Sequence, residues 1–174
     1  MINISKDVGG EELLDVLPTY KGSYIIVTGV FRAFEKDVGA MGRIRFNKGF
    51  YYYTGSALGK GGIRKRVTRY LVLNNKIPFE KSGMKRTPNI HWHIDYLLSE
   101  RDSTITSMFF SSKLTECGLV NDIKNHTVTT VPIPGFGSSD CRNGCPAHLL
   151  YSGEMLINFG EAVFDDRLNL KNSI

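Results

Sequence analysis

The sequence predicts an α+β fold, with a small, mainly antiparallel sheet flanked by helices in a single domain. Three observations lead there. Residues 22–31, GSYIIVTGVF, are apolar at both odd and even positions, as in a strand covered on both faces. Residues 50–54, FYYYT, are aromatic and β-branched, which suits a pleated, half-buried strand, and Gly55, Gly59, Gly61 and Gly62 then break regular structure. Next, Ile63, Val67, Tyr70 and Leu71 recur at i, i+4, i+7 and i+8, one apolar stripe of a helix. The 174 residues, 41% hydrophobic and 22% charged, suit one globular domain with room for a core.

The elements follow in order. Residues 11–16 read as a short helix with Glu11 and Glu12 in its first turn and Pro18 ending it. In the strand 22–31, Tyr24, Ile26 and Thr28 share one face and Ile25 and Val27 the other. Residues 40–46, between Gly39 and Gly49, form a strand that either extends the sheet or makes an extra hairpin. In the helix from Ile63, Lys65 and Arg69 fall well away from the apolar stripe and should face water. Arg66 sits at the edge of the stripe, one turn before Tyr70. It either leans over the sheet, where it can bind a phosphate bidentately in a reduced dielectric, or belongs to a basic solvated helix face, which composition alone favours. Residues 74–89 make a long loop whose Lys76, Lys81, Lys85 and Arg86 serve either a nucleic-acid arm or a solvated surface.

Residues 90–98, IHWHIDYLL, alternate, which predicts a strand with Ile90, Trp92, Ile94, Tyr96 and Leu98 on one face and His91, His93 and Asp95 on the other. Residues 105–110 read as a strand, and 114–123 as a helix with Leu114, Cys117 and Leu119 inward. Residues 128–134 are extended, with Pro132 and Pro134 arguing against a central strand. Residues 136–145 form a turn-rich loop, and 147–152 and 154–159 a final pair of strands.

A net charge of +5 permits an anionic partner without demanding one. The first residues lack the apolar core of a signal peptide, and no apolar run approaches the ~20 residues that span a bilayer. Three cysteines, an odd number, argue against a disulfide framework. A reduced, cytoplasmic protein with no membrane association is the expectation.

Taken in sequence, Gly22-Ser23-Tyr24, Tyr53-Thr54-Gly55-Ser56, the helix carrying Arg66 and Tyr70, HWHIDYLL, Glu116-Cys117 and FGSSDC resemble the GIY-YIG endonuclease superfamily. Within it the ordered set is similar to a little-characterised prokaryotic branch. The resemblance runs from about residue 22 to 151, which implies a GIY-YIG-like domain over 1–174 with its core there. It implies a metal-dependent endonuclease that hydrolyses DNA phosphodiester bonds. Tyr24 and Tyr53 would position or deprotonate the water, Arg66 would stabilise the phosphorane, and Tyr70 would support proton transfer in the place where many members have histidine. Glu116 would hold Mg²⁺ or Mn²⁺. Lys65, Arg69 and the 74–89 loop would bind the DNA backbone.

The chemistry is consistent with those residue types. An arginine stabilises charge on non-bridging oxygens. A phenol, with an ordinary pKa near 10, is a poor base unless neighbouring positive charge lowers it, and Arg66 together with a metal beside Tyr24 or Tyr53 would do that. One alternative is a nucleic-acid-binding module of the same fold without cleavage. Another is a zinc-dependent or zinc-stabilised protein. For the latter, His91, His93 and Asp95 on one strand face form one candidate metal site, and Cys141, Cys145 and His148, with Cys117 to complete them, another. Neither has paired CxxC spacing, so the default is a hydrogen-bonded face or a phosphate contact for the histidines and packed thiols for the cysteines. Asp140, in the FGSSDC turn, reads as a turn residue.

Overall fold

In a computed structural model, which describes residues 7–8, 12–156 and 164–170, the chain opens with strand β1 (Asp7–Val8) and helix α1 (Glu12–Val16). Strand β2 (Gly22–Val30) follows, buried at every position. Strands β3 (Phe34–Asp37) and β4 (Arg43–Phe46) pair as a separate hairpin, so the segment after β2 adds a hairpin rather than extending the sheet. Then come β5 (Gly49–Ala57), α2 (Gly62–Leu73), α3 (His93–Leu98), β6 (Ser103–Ser111), α4 (Glu116–His126), β7 (Leu149–Ser152) and β8 (Asp166–Leu170). The main sheet has the order β1-β8-β6-β2-β5-β7. Five strands run antiparallel, and β1 joins the edge parallel to β8. This is the α+β domain expected, an antiparallel sheet flanked by helices.

The two-sided apolar pattern of β2 has a direct cause: β2 lies inside the sheet, between β5 and β6, with helices over both faces. Register pairs Tyr24 with Gly55 and Ile26 with Tyr53. Tyr24, Ile26, Tyr51 and Tyr53 therefore share a face, where they meet Ile63, Val67 and Leu71 of α2 and Ile94 and Leu97 of α3. On the opposite face Ile25, Val27 and Tyr52 pack with Leu119, Val120 and Ile123 of α4.

Helix α2 begins poorly by propensity, since Gly62 opens it and glycine costs about 1 kcal/mol in a helix relative to alanine. Its stripe of Ile63, Val67, Tyr70 and Leu71 is buried, and each such side chain contributes on the order of 1.5–3 kcal/mol, so packing wins. Its first turn has no side-chain cap. Instead the amides of Ile63 and Arg64 donate to the carbonyls of Tyr20 (3.0 Å) and Pro18 (2.8 Å). Gly62 makes that approach possible: its φ is +56°, and a Cβ there would lie 2.3 Å from the Tyr20 carbonyl oxygen. The docking fixes where Arg66 stands, one turn on.

Two expectations are corrected. Residues 90–98 are not a strand: 93–98 form α3, with Ile94, Leu97 and Leu98 buried at helical spacing while Ile90 and Trp92 are exposed. The reason is Asp95, whose carboxylate accepts from the amides of His91 (2.8 Å) and Trp92 (2.7 Å) and so caps a helix start that the alternation hides. Of the expected strand 154–159, residues 154–156 lie outside any strand and 157–159 fall outside the described residues, as does Glu11 of the first expected helix. Strand β8, paired with β6, carries the sheet past the expected core of 22–151.

Candidate active site

One end of the sheet, where β2 begins and β5 and β6 finish, opens into a cleft of about 450 Å³. Its walls include Tyr24 from β2, Tyr53, Gly55 and Ser56 from β5, Arg66 and Tyr70 from α2, His91, Trp92 and His93 at the start of α3, and Glu116 from α4. Gly137, Ser139 and Asp140, from the loop before β7, close it. Helix α4 packs on the opposite face of the sheet from α2. It nevertheless begins soon after β6 ends, at the same end of the sheet as the cleft, so Glu116 in its first turn still lines the cavity. Thr115 caps that turn by accepting from the Gly118 amide at 3.1 Å.

Three phenols form the floor. Tyr24 and Tyr70 share a hydrogen bond of 2.9 Å between hydroxyls, and Tyr24, Tyr53 and Tyr70 are all buried. Burial raises Tyr24 well above the usual tyrosine range, with Tyr70 and Tyr53 adding to it, and only Arg66 pulls it down. Tyr53 is likewise raised well above, by burial first and then by Tyr70, Glu116 and Asp95 against Arg66. Burial also raises Tyr70, opposed by its bond to Tyr24 and by Arg66. Arg66, expected to act together with a metal, does not by itself bring these phenols below the usual range. Its influence has the anticipated sign, but desolvation is larger.

This has a measurable consequence. A folded pKa above the unfolded value of about 10 means that the stability owed to these neutral phenols is intact below pH ~10 and lost as pH rises through the folded values. Tyr51, pushed up to about 12 by burial, and Tyr52, also raised by burial, belong to the same set. In a spectrophotometric titration, phenolate absorbance from these five should appear only together with loss of near-UV circular dichroism. Full, reversible ionisation near pH 10 with the fold intact would contradict the packing described.

Gly55 opposes Tyr24 in the β2–β5 ladder, and a Cβ there would lie 2.4 Å from the Tyr24 hydroxyl. Gly55→Ala should displace that ring and lower stability by about 1–3 kcal/mol, read from urea unfolding.

The two arginines of α2 have different surroundings. Arg69, expected to face water, has a side chain only 17% exposed and pairs bidentately with the fully buried Asp95, its Nη2 at 2.7 Å from Oδ2. That pairing removes Arg69 from the expected DNA-binding set. Arg66 has no ion-pair partner among the described residues, and its guanidinium lies 5.3 Å from the centroid of the Trp92 ring. Trp92, which the alternation places on an apolar face, is 42% exposed in the cleft. Nothing in its local sequence signals that position, because it follows from α3 being a helix. Asp140 also lines the cleft, beyond the turn role its sequence suggests.

The candidate set His91, His93 and Asp95 does not converge on a metal. Asp95 is saturated by Arg69 and two amides. His93 Nδ1 accepts from the Gly137 amide at 3.1 Å, which places the proton of the neutral ring on Nε2, and His91 packs edge-on to Trp92. Cys117, Cys141, Cys145 and His148 do converge: their ligand atoms all lie within 4.8 Å of one another, and the group could hold a metal ion. The Cys117 sulfur is 3.4 Å from that of Cys141 and 3.7 Å from His148 Nε2. Burial raises the Cys141 thiol, but hydrogen bonds from the Cys145 backbone, Cys117, the Asn143 backbone and His148 bring it down to about 6. Cys145 is pushed up to about 12 by burial and by its neighbours Cys117 and Cys141.

Of the remaining basic candidates, Lys65, Lys81, Lys85 and Arg86 are exposed, while burial lowers the half-buried Lys76. No helix among the described residues is long and apolar enough to cross a membrane. A family model described as a domain of unknown function, DUF123, matches residues 23–167. No curated protein and no solved structure matches the sequence.

Proposed function

We propose that this chain, which belongs to the family of unknown function DUF123, is a divalent-metal-dependent endonuclease that hydrolyses DNA phosphodiester bonds at the end of its sheet. The observation that carries the proposal is convergence. Tyr24, Tyr53, Arg66, Tyr70 and Glu116, selected by resemblance to the GIY-YIG superfamily, come from four elements on both faces of the sheet yet line one cavity. Its volume of about 450 Å³ suits a nucleotide-sized group, within the roughly 300–1,000 Å³ of ligand sites.

The residues take distinct parts. Arg66, with no ion-pair partner among the described residues, lies at the cavity wall beside a polarisable ring, so it can fork onto two phosphoryl oxygens. Tyr24 and Tyr53 are held protonated by burial, which makes them donors that orient the water and the reacting oxygens. Ionising either needs more positive charge than Arg66 alone supplies. Tyr70 holds Tyr24 in place through their shared hydrogen bond. His93, with its Nδ1 engaged by Gly137, offers an Nε2 proton to phosphate rather than a lone pair to a metal. Glu116 and Asp140 are the carboxylates lining the cavity, and carboxylates are the ligand type through which a hard cation binds with water and substrate phosphate. Mg²⁺ or Mn²⁺, when bound, supplies Lewis-acid charge at the phosphoryl group. The Cys117–Cys141–Cys145–His148 group has four protein donors and no open position, so it supports a metal that braces the fold rather than one that acts on substrate.

The test is cleavage of plasmid, single-stranded and branched DNA with Mg²⁺ or Mn²⁺, beside Arg66→Ala and Glu116→Gln. Cutting that both substitutions abolish is the expected result. DNA binding with no cutting, indifferent to Glu116→Gln, would leave the binding module of the same fold as the function.

A further inference from the structure

We infer that Cys117, Cys141, Cys145 and His148 form a closed structural zinc site whose task is to anchor the loop that walls one side of the cleft. The site itself does not depend on the nuclease reading; only its effect on DNA chemistry does.

The donor chemistry comes first. All three cysteines are free, and the 3.4 Å between the Cys117 and Cys141 sulfurs is far beyond a disulfide bond of about 2.05 Å. Tetrahedral zinc with Zn–S near 2.3 Å and Zn–N near 2.0–2.1 Å puts sulfurs about 3.8 Å apart and sulfur and nitrogen about 3.5 Å apart. The sulfur–sulfur pair, at 3.4 Å, is somewhat closer than that and the sulfur–nitrogen pair, at 3.7 Å, slightly wider, so small side-chain shifts reach the tetrahedral distances, and the whole group fits within 4.8 Å. Three soft thiols and one imidazole select zinc over the hard cations suited to Glu116.

The second observation is what the loop lacks. Residues 138–144, SSDCRNG, contain no large apolar side chain, and most of them are exposed. The backbone bonds that their amides donate run only within the loop, from Ser138 to Gly135, Cys141 to Ser138 and Gly144 to Cys141. Hydrophobic burial therefore cannot hold this segment in place. The four donors, by contrast, reach into parts that are fixed. Cys117 lies in the first turn of α4, packed on the sheet. His148 is buried just before β7, its amide donating to Phe136 at 2.9 Å and its carbonyl accepting from the Thr54 amide at 2.9 Å. A metal joining Cys141 and Cys145 to these two points would cross-link the loop to the sheet. Two of the ligands also neighbour cleft carboxylates in sequence: Cys117 follows Glu116 and Cys141 follows Asp140. The proposed metal thus fixes the placement of both.

The experiment uses the full chain purified under reducing conditions. Elemental analysis should give one zinc per chain, and cobalt substitution should give the visible spectrum of tetrahedral thiolate coordination. Cys141→Ser and Cys145→Ser should lower zinc content at least tenfold. Because these variants can also fail to fold, the wild-type chain is tested as well. Release of its zinc by a thiol-modifying reagent, followed with a chromogenic chelator, should open residues 138–144 to limited proteolysis while far-UV circular dichroism is largely retained. Protein that holds no zinc and takes up neither zinc nor cobalt would overturn the site. Full zinc content in Cys141→Ser would do the same. Unchanged proteolysis after verified release would overturn the anchoring role. A chain that carries one zinc and cuts no DNA leaves the site standing and removes only the nuclease reading.

Discussion

Arg66→Ala should reduce the rate of DNA cleavage by about 10²–10³-fold, the equivalent of about 2.7–4 kcal/mol of transition-state stabilisation. The expectation rests on what Arg66 does not do. No carboxylate pairs with it among the described residues, and its recorded contact is with the face of Trp92. Loss of that contact should cost the fold only about 0.5–1 kcal/mol. Activity and stability are thereby separated, and a thermal melt close to wild type should accompany the lost cleavage. Arg66→Lys retains the charge but not the planar fork, so it should fall between the two. Trp92 is the chain's one tryptophan, and its fluorescence should report phosphate or DNA entering beside Arg66 in the wild-type protein. Wild-type cleavage rates in Arg66→Ala would remove the guanidinium from the reaction and with it the proposed chemistry.

The largest stability effect should come from Asp95→Ala, about 3–5 kcal/mol by urea unfolding at an unchanged m-value. Asp95 is fully buried, yet its charge is met by the two guanidinium nitrogens of Arg69 and the amides of His91 and Trp92. Removing it strands the Arg69 cation, itself mostly buried, and leaves both amides at the start of α3 without their acceptor. The companion measurement is Asp95→Ala with Arg69→Met. If the cost is mainly an uncompensated charge, the double variant should be more stable than Asp95→Ala alone. Additive losses would show instead that the cap on α3 matters more than the pair. In either case the start of α3 carries His91, Trp92 and His93 into the cleft, so these variants should also shift Trp92 fluorescence.

The architecture around β2, β5 and α2 could be read locally because their patterns are local. A strand covered on both faces, a cluster of tyrosines before a glycine turn and an i, i+4, i+7, i+8 stripe each correspond to one arrangement. Tyr24, Tyr53, Arg66, Tyr70 and Glu116 were singled out by a resemblance and not by any local pattern, and all five line the cleft. The stretch IHWHIDYLL was misread because Ile94, Leu97 and Leu98 satisfy a helix as well as the alternation satisfies a strand. What decides between them is Asp95, whose partner Arg69 is twenty-six residues away. The same pairing draws in Arg69, which helical spacing places away from the apolar stripe and facing water.

By itself, then, the sequence determined the α+β class, the faces of the central strands and the apolar stripe of α2. Only the tertiary structure decided which charges are available, which phenols are held neutral and which thiols meet. Burial and Coulomb interactions depend on everything within a few ångströms in space. Cys117 and His148 are thirty-one residues apart along the chain but 3.7 Å apart in the fold.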